Sequence, residues 1–151
     1  MTDSAISFET EPPTAAQMAE RIGAAHVWLV AERDGKVVGY AYGGAHRPRG
    51  AYRWSTEVSA YVDRSAQRAG IGRRLYTELF ARLEAGGFRL LVAGITLPND
   101  ASVGIHEAMG FRPVGVYHNV GWKAGRWWDV GWWERDLGDP GGNPPREPSA
   151  R

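Results

Sequence analysis

The sequence predicts an α/β fold in a single domain. Between Trp54 and Met109, runs of β character alternate with stretches of helical spacing, and further β-rich pairs flank that block on both sides. A length of 151 residues leaves room for one domain-sized core and no second domain.

Each element has its own signal. Pro12-Pro13 precede Thr14, with Gln17 three residues on; this capping box opens a short helix over residues 15–22 that Gly23 closes. "HVWLVAE" and "KVVGYAYG" flank Arg33-Asp34-Gly35, where Asp-Gly tolerates the positive φ of a tight turn, so the pair reads as a β-hairpin. After the loop "GGAHRPRGAY", Trp54 to Val62 alternates, with Trp54, Thr56, Val58, Ala60 and Val62 on one face and Ser55, Glu57, Ser59 and Tyr61 on the other. Ile71, Leu75, Tyr76, Leu79, Phe80 and Leu83 then fall at helical spacing up to Gly86-Gly87, on a helix that must pack against a sheet. "FRLLVAGI" reads as a buried strand, and "LPND" leads into a second helix from Ala101 to Met109, stopped by Gly110. "RPVGVYHNVGW" and "RWWDVGWWERDL" read as two strands joined at Lys123-Ala124-Gly125. The domain is expected to span residues 1–137, with 138–151, "GDPGGNPPREPSAR", too rich in Gly, Pro and polar residues to fold.

Composition narrows the function classes. With 43% hydrophobic and 23% charged residues and a net charge of +1, no electrostatic case exists for a nucleic-acid or membrane partner. No cysteine is present, which excludes disulfides, thiolate metal sites and a cysteine nucleophile and sets cytoplasmic localisation as the expectation. No metal is expected. The start, "MTDSAISFETEPP", has neither a basic n-region nor an apolar h-region, and runs such as "VWLVA" are too short to span a bilayer. The tryptophans are expected to fill core and hairpin faces, and an aromatic hairpin exposed from Trp127 to Trp133 would favour a homodimer.

The order strand, Gln67-Arg68-Ala69-Gly70-Ile71-Gly72, helix places two residues without a Cβ where the first helical N–H groups have no internal partner. Either the glycines only permit a tight entry to the helix, or the turn binds an anion through backbone N–H groups and the helix dipole, with Arg68, Arg73 or Arg74 at the rim. A Walker P-loop is not met, because Gly72 is followed by Arg73-Arg74; a Rossmann fingerprint is not met, because Leu75 stands where a third glycine belongs.

Gln67-x-x-Gly70-x-Gly72 after a strand, followed by "PND" and a short helix ending in Gly110-Phe111, resembles the acyl-CoA-binding core of the GNAT acetyltransferase superfamily. Within it, "ISFETEPP", "YRWSTEVSAYV", "QRAGIGRRLY", "LPNDASVGIHEAMGF" and "VGWKAGRWWDVGWW" in this order are similar to the phosphinothricin N-acetyltransferase subfamily. The resemblance implies a mixed, mostly antiparallel central sheet with helices on both faces, acetyl-CoA as donor and a small-molecule amine as acceptor. It also implies a further strand and helix ahead of "ISFETEPP", to which this chain has no counterpart: either the start is assigned too late, or the sheet works with an open edge.

The same resemblance distributes roles. The anion becomes the pyrophosphate of acetyl-CoA on Gln67, Arg68, Ala69, Gly70, Ile71, Gly72 and Arg73, while backbone groups of Tyr61 and Val62 pair with the pantetheine amides as an added strand would. The acceptor amine is protonated at neutral pH and needs a base. Glu57, on the polar face of the strand feeding the turn, can supply one directly or through a water, and burial would raise its pKa towards the useful range. His106 shares a helical stripe with Asn99, Ser102 and Val103; its imidazole either accepts the amine proton or donates to the departing thiolate. Asn99 is a helix cap, a pantetheine contact, or both, with Ser102 beside it. By position the resemblance assigns Arg49 and Tyr52 to the acceptor, with Phe8 and Val130 as pocket walls.

The expected activity is acetyl transfer to the α-amine of phosphinothricin, methionine sulfoximine or methionine sulfone by direct attack in a ternary complex, with sequential kinetics. The alternatives are a GNAT acting on a polyamine, an aminoglycoside or a protein N-terminus, and an acyl-CoA-binding module without turnover.

Overall fold

The computed structural model describes residues 11–139, 142 and 145–149. Its strands and helices are α1 (Ala15–Ala24), β1 (Val27–Arg33), β2 (Lys36–Ala45), β3 (Ser55–Val62), α2 (Ile71–Ala85), β4 (Leu90–Leu97), α3 (Asp100–Ala108), β5 (Arg112–Lys123) and β6 (Arg126–Asp136). The strands form one mixed, mostly antiparallel sheet in the order β1-β2-β3-β4-β6-β5. Two compact units divide the chain, one of Ile22–Val92 with Asp136–Arg151 and one of Met1–Arg21 with Ala93–Arg135.

In the first unit, β1, β2 and β3 run antiparallel, and β3 pairs in parallel with the start of β4. The β1–β2 turn is the one expected at Asp34-Gly35, where φ is 53° and 77°. α2 buries Leu75, Tyr76, Leu79, Phe80 and Leu83. They seat on a face of β2 made of small residues: Ala41 is fully buried, and a Cβ at Gly43 would lie 2.8 Å from Thr56 Oγ1 and 3.0 Å from Leu83 Cδ1. Thr56 is itself fully buried and satisfied, its hydroxyl donating to Gly44 O at 3.1 Å and accepting from His26 Nδ1 at 3.3 Å. The His26 ring stacks on Phe88 at 4.5 Å.

Of the segment 138–151 expected to be disordered, residues 145–149 lie against the C-terminal end of α2. Arg146 Nη2 donates to Ala85 O at 3.0 Å and Ser149 N to Gly86 O at 2.9 Å, which satisfies carbonyls that a helix end leaves without partners. Glu147 pairs with Arg53 at 2.8 Å, and Trp54 Nε1 donates to Arg146 O at 2.8 Å.

In the second unit, the capping box forms as read: Thr14 N donates to Gln17 Oε1 at 2.8 Å and Gln17 N to Thr14 Oγ1 at 3.2 Å. β5 and β6 make an antiparallel hairpin whose turn, Ala124-Gly125, has φ of 53° and 76°. Its aromatic residues are not exposed from Trp127 to Trp133 as expected. Trp133 is buried, with Nε1 donating to Glu107 Oε1 at 3.1 Å; the exposed apolar side chains are Trp127 and, on β5, Val114, Val116, Tyr117, Val120 and Trp122.

Burial holds the imidazole of His26 below its ordinary value of 6.5, and burial does the same at His106. The unfolded chain therefore binds more protons than the folded one just below that pH. Stability is full above 6.5 and is lost as pH falls towards the folded-state values. The thermal midpoint is expected to fall between about pH 7 and pH 5, with a shallower fall in a His26→Asn variant; a midpoint unchanged across that interval contradicts the burial of both rings.

Candidate active site

The turn between β3 and α2 combines two left-handed residues within three positions, Arg68 at φ 69° and Gly70 at φ 76°. Gly70 is the N-cap of α2 and offers no side chain to the first helical N–H groups, so these point out of the helix start uncapped. A Cβ on Gly70 would meet nothing within 4 Å, so its role is backbone conformation rather than space. Gly72 lies inside the first turn of α2, which starts at Ile71 rather than after Gly72. Arg68, Ala69 and Arg73 are exposed around the turn, and Ile71 and Gly72 half-buried. The arrangement concentrates backbone donors and two guanidinium groups, the donor set an anion such as a pyrophosphate requires.

β3 pairs with β2 as far as Val62, and its parallel ladder with β4 consists of Ser55↔Leu90, Thr56↔Leu91 and Glu57↔Val92. Gln67 Nε2 reaches back and donates to Val62 O at 3.3 Å, which ties the turn to the strand end.

Glu57 lies opposite Val92 of β4. Its side chain is 38% exposed, on the sheet face opposite α2 that also carries Ser59 and Tyr61. Its Oε2 lies 3.2 Å from Nδ1 of His46, a residue that sequence reading left inside a Gly/Pro/Arg loop. β2 extends to Ala45 rather than ending near Gly43, and His46 therefore leaves the strand in phase with Tyr42 and Gly44. That parity was the only signal that could have found it.

α3 assembles Asn99, Ser102 and His106 as one chain of contacts. Asn99 Oδ1 accepts from Ser102 N at 3.2 Å, so Asn99 caps the helix; Ser102 O accepts from His106 Nδ1 at 2.7 Å. His106 is buried, edge-on to Phe111 at 5.2 Å. Burial lowers its pKa and the bond to Ser102 O partly opposes that shift, leaving a net lowering. Because a carbonyl can only accept, Nδ1 carries the hydrogen and Nε2 the lone pair.

The acceptor assignments are less gathered. Arg49 is exposed at the start of the short turn Gly50–Tyr52, accepting from Tyr52 N at 3.0 Å, and Tyr52 is exposed. Val130 is half-buried on β6, opposite Tyr117. Phe8 lies outside the described residues. Among the described residues no group of three or more His, Asp or Glu could hold a metal ion, and no helix is long and apolar enough to cross a membrane.

The family model "Acetyltransferase (GNAT) domain" matches residues 2–132. A phosphinothricin N-acetyltransferase of Streptomyces viridochromogenes is 45% identical over 146 residues, 95% of this chain and 79% of that protein. An L-methionine sulfoximine/L-methionine sulfone acetyltransferase of Salmonella typhimurium is 37% identical over 109 residues, 72% of this chain and 64% of that protein. Among solved structures, a GNAT superfamily phosphinothricin acetyltransferase from Sinorhizobium meliloti in complex with AcCoA superposes with a TM-score of 0.87 at 36% identity, covering 96% of this chain and 80% of that one.

Replacing Gly70 by alanine tests the turn. The methyl group has room but the backbone is left-handed, so Gly70→Ala is expected to cost about 1–2 kcal/mol in urea denaturation; no cost at all would mean that the turn relaxes freely.

Proposed function

This chain belongs to the GNAT family of acetyltransferases, and from that premise we propose that it moves acetyl from acetyl-CoA to the α-amine of an amino-acid analogue, phosphinothricin or methionine sulfoximine and sulfone. The observation that carries the reading is the Gln67–Gly72 turn, whose left-handed Gly70 leaves the first N–H groups of α2 without a side-chain cap. An acyl-CoA, with a diphosphate at one end of its extended arm, is the kind of ligand such a helix start takes. Gln67, Arg68, Ala69, Gly70, Ile71, Gly72 and Arg73 take the pyrophosphate, and Tyr61, Val62, Asn99 and Ser102 are the residues that the family resemblance assigns to the pantetheine arm.

Glu57 is the base in this reading. It removes a proton from the acceptor's ammonium group, and the freed amine attacks the thioester carbonyl. The C–N bond forms, the C–S bond breaks and CoA leaves as its thiolate, a fair leaving group at ordinary thiol pKa, while the second amine proton passes to that thiolate or to solvent. No cysteine is present to carry an acetyl group, so the transfer is direct within a ternary complex. Arg49 and Tyr52 meet the acceptor's anionic groups. The exposed apolar side chains of β5 and Trp127 are the surface on which two copies would associate.

Free-thiol release from acetyl-CoA is measured with phosphinothricin, methionine sulfoximine, methionine sulfone and spermidine in parallel. Turnover is expected with the three amino-acid analogues and not with spermidine, with intersecting double-reciprocal lines; silence with all four, in a protein that acetyl-CoA still stabilises against heat, would favour a different acceptor or a binding module. Glu57→Gln is expected to lower kcat by about 10² or more while acetyl-CoA still raises the thermal midpoint. Near-normal turnover would remove Glu57 from the reaction.

A further inference from the structure

We propose that His46 is a positioning residue for the Glu57 carboxylate, an inference that rests on the acetyl-transfer reading in which Glu57 is the base. The β2–β3 register places Gly44 directly opposite Glu57 and Ala45 opposite Thr56, so His46, two residues past Gly44, is the diagonal neighbour of Glu57 on the same sheet face. Gly44 has no side chain, and a Cβ there would meet nothing within 4 Å. The position facing Glu57 is thus empty, and the imidazole reaches across it to bring Nδ1 within 3.2 Å of Oε2.

The chemistry of the pair fixes its direction. An ionised carboxylate only accepts, so Nδ1 must carry the hydrogen, and His46 is held in the tautomer that a free neutral imidazole disfavours. The ring is the more enclosed partner, its side chain 18% exposed against 38% for Glu57. Its backbone is held as well: Arg47 Nη1 donates to His46 O at 2.9 Å, and Pro48 restricts Arg47 to extended conformations. A more enclosed donor thus meets a more exposed acceptor. The bond takes Oε2 out of rotation and leaves Oε1 as the oxygen that receives the amine proton.

The test separates this role from the reaction it serves. In 15N spectra at alkaline pH, with His46 assigned among the four histidines by the signal lost in His46→Asn, the native chain is expected to show the Nδ1–H tautomer, reverting to Nε2–H in Glu57→Ala. An Nε2–H tautomer at His46 in the native chain overturns the proposal without any assay. In turnover, His46→Phe is expected to lower kcat about tenfold with KM for acetyl-CoA unchanged, and His46→Asn, whose amide N–H can stand in for Nδ1–H, to recover most of the loss. Equal kcat in native and His46→Phe enzymes overturns the positioning role alone. Absence of turnover on any amine, in a chain that shows the Nδ1–H tautomer, overturns the reaction and the positioning role with it while the hydrogen bond stands.

Discussion

The seat of α2 on the small-residue face of β2 is the constraint from which the rest follows. Ala41 and Gly43 present almost no side-chain bulk, so Leu75, Tyr76, Leu79, Phe80 and Leu83 bury themselves against the strand backbone. Each contributes about 1.5–3 kcal/mol over its exposed state. The direction of the helix is set at the same time: a Cβ on Gly39 would lie 3.5 Å from Ile71 and Leu75, whereas the Leu83 contact is at Gly43. β3 ends opposite Gly39, so the helix starts where the strand stops and the connection has to be short. The left-handed Arg68 and Gly70 are what a short connection demands, and the uncapped N–H groups are its by-product.

That seat also decides which way Glu57 points. Thr56 and Val58 must face α2, since both are buried there, and strand alternation then sends Glu57, Ser59 and Tyr61 to the opposite face. A one-residue slip in the β2–β3 register would bring the carboxylate under the helix, where no partner awaits it, and would expel Val58 to the other side. The buried Thr56, bonded to both Gly44 O and His26, locks the register from below. Packing on one face thus places Glu57 on the other.

Much of this was legible in the chain, and the parts that were not share a cause. The Thr14–Gln17 box, the turns at Asp34-Gly35 and Ala124-Gly125, the two faces of β3 and the apolar stripe of α2 are local, and each is present in the structure. The parallel pairing of β3 with β4 is not local: it depends on which strands meet, which neither strand's own alternation records. The insertion of β6 between β4 and β5 is likewise a pairing choice over distance. His46 was hidden because a Gly/Pro/Arg loop has no periodicity to read; only the register of β2 with β3 turns its position into a contact. The half-exposed state of Glu57 was not legible for a related reason, since alternation assigns a residue to a face and does not say how fully that face is covered.

The histidines carry the argument one step further. His26, His46 and His106 each spend Nδ1–H on an oxygen, a hydroxyl, a carboxylate and a carbonyl respectively, so in all three the lone pair is on Nε2. At His106 burial adds a second restriction by favouring the neutral ring. A neutral imidazole whose hydrogen is already given to Ser102 O has nothing to donate to a departing thiolate, but it can accept a proton or a hydrogen bond at Nε2. Both roles the sequence left open for His106, taking the amine proton or donating to the departing thiolate, pass through a protonated ring, which its burial disfavours.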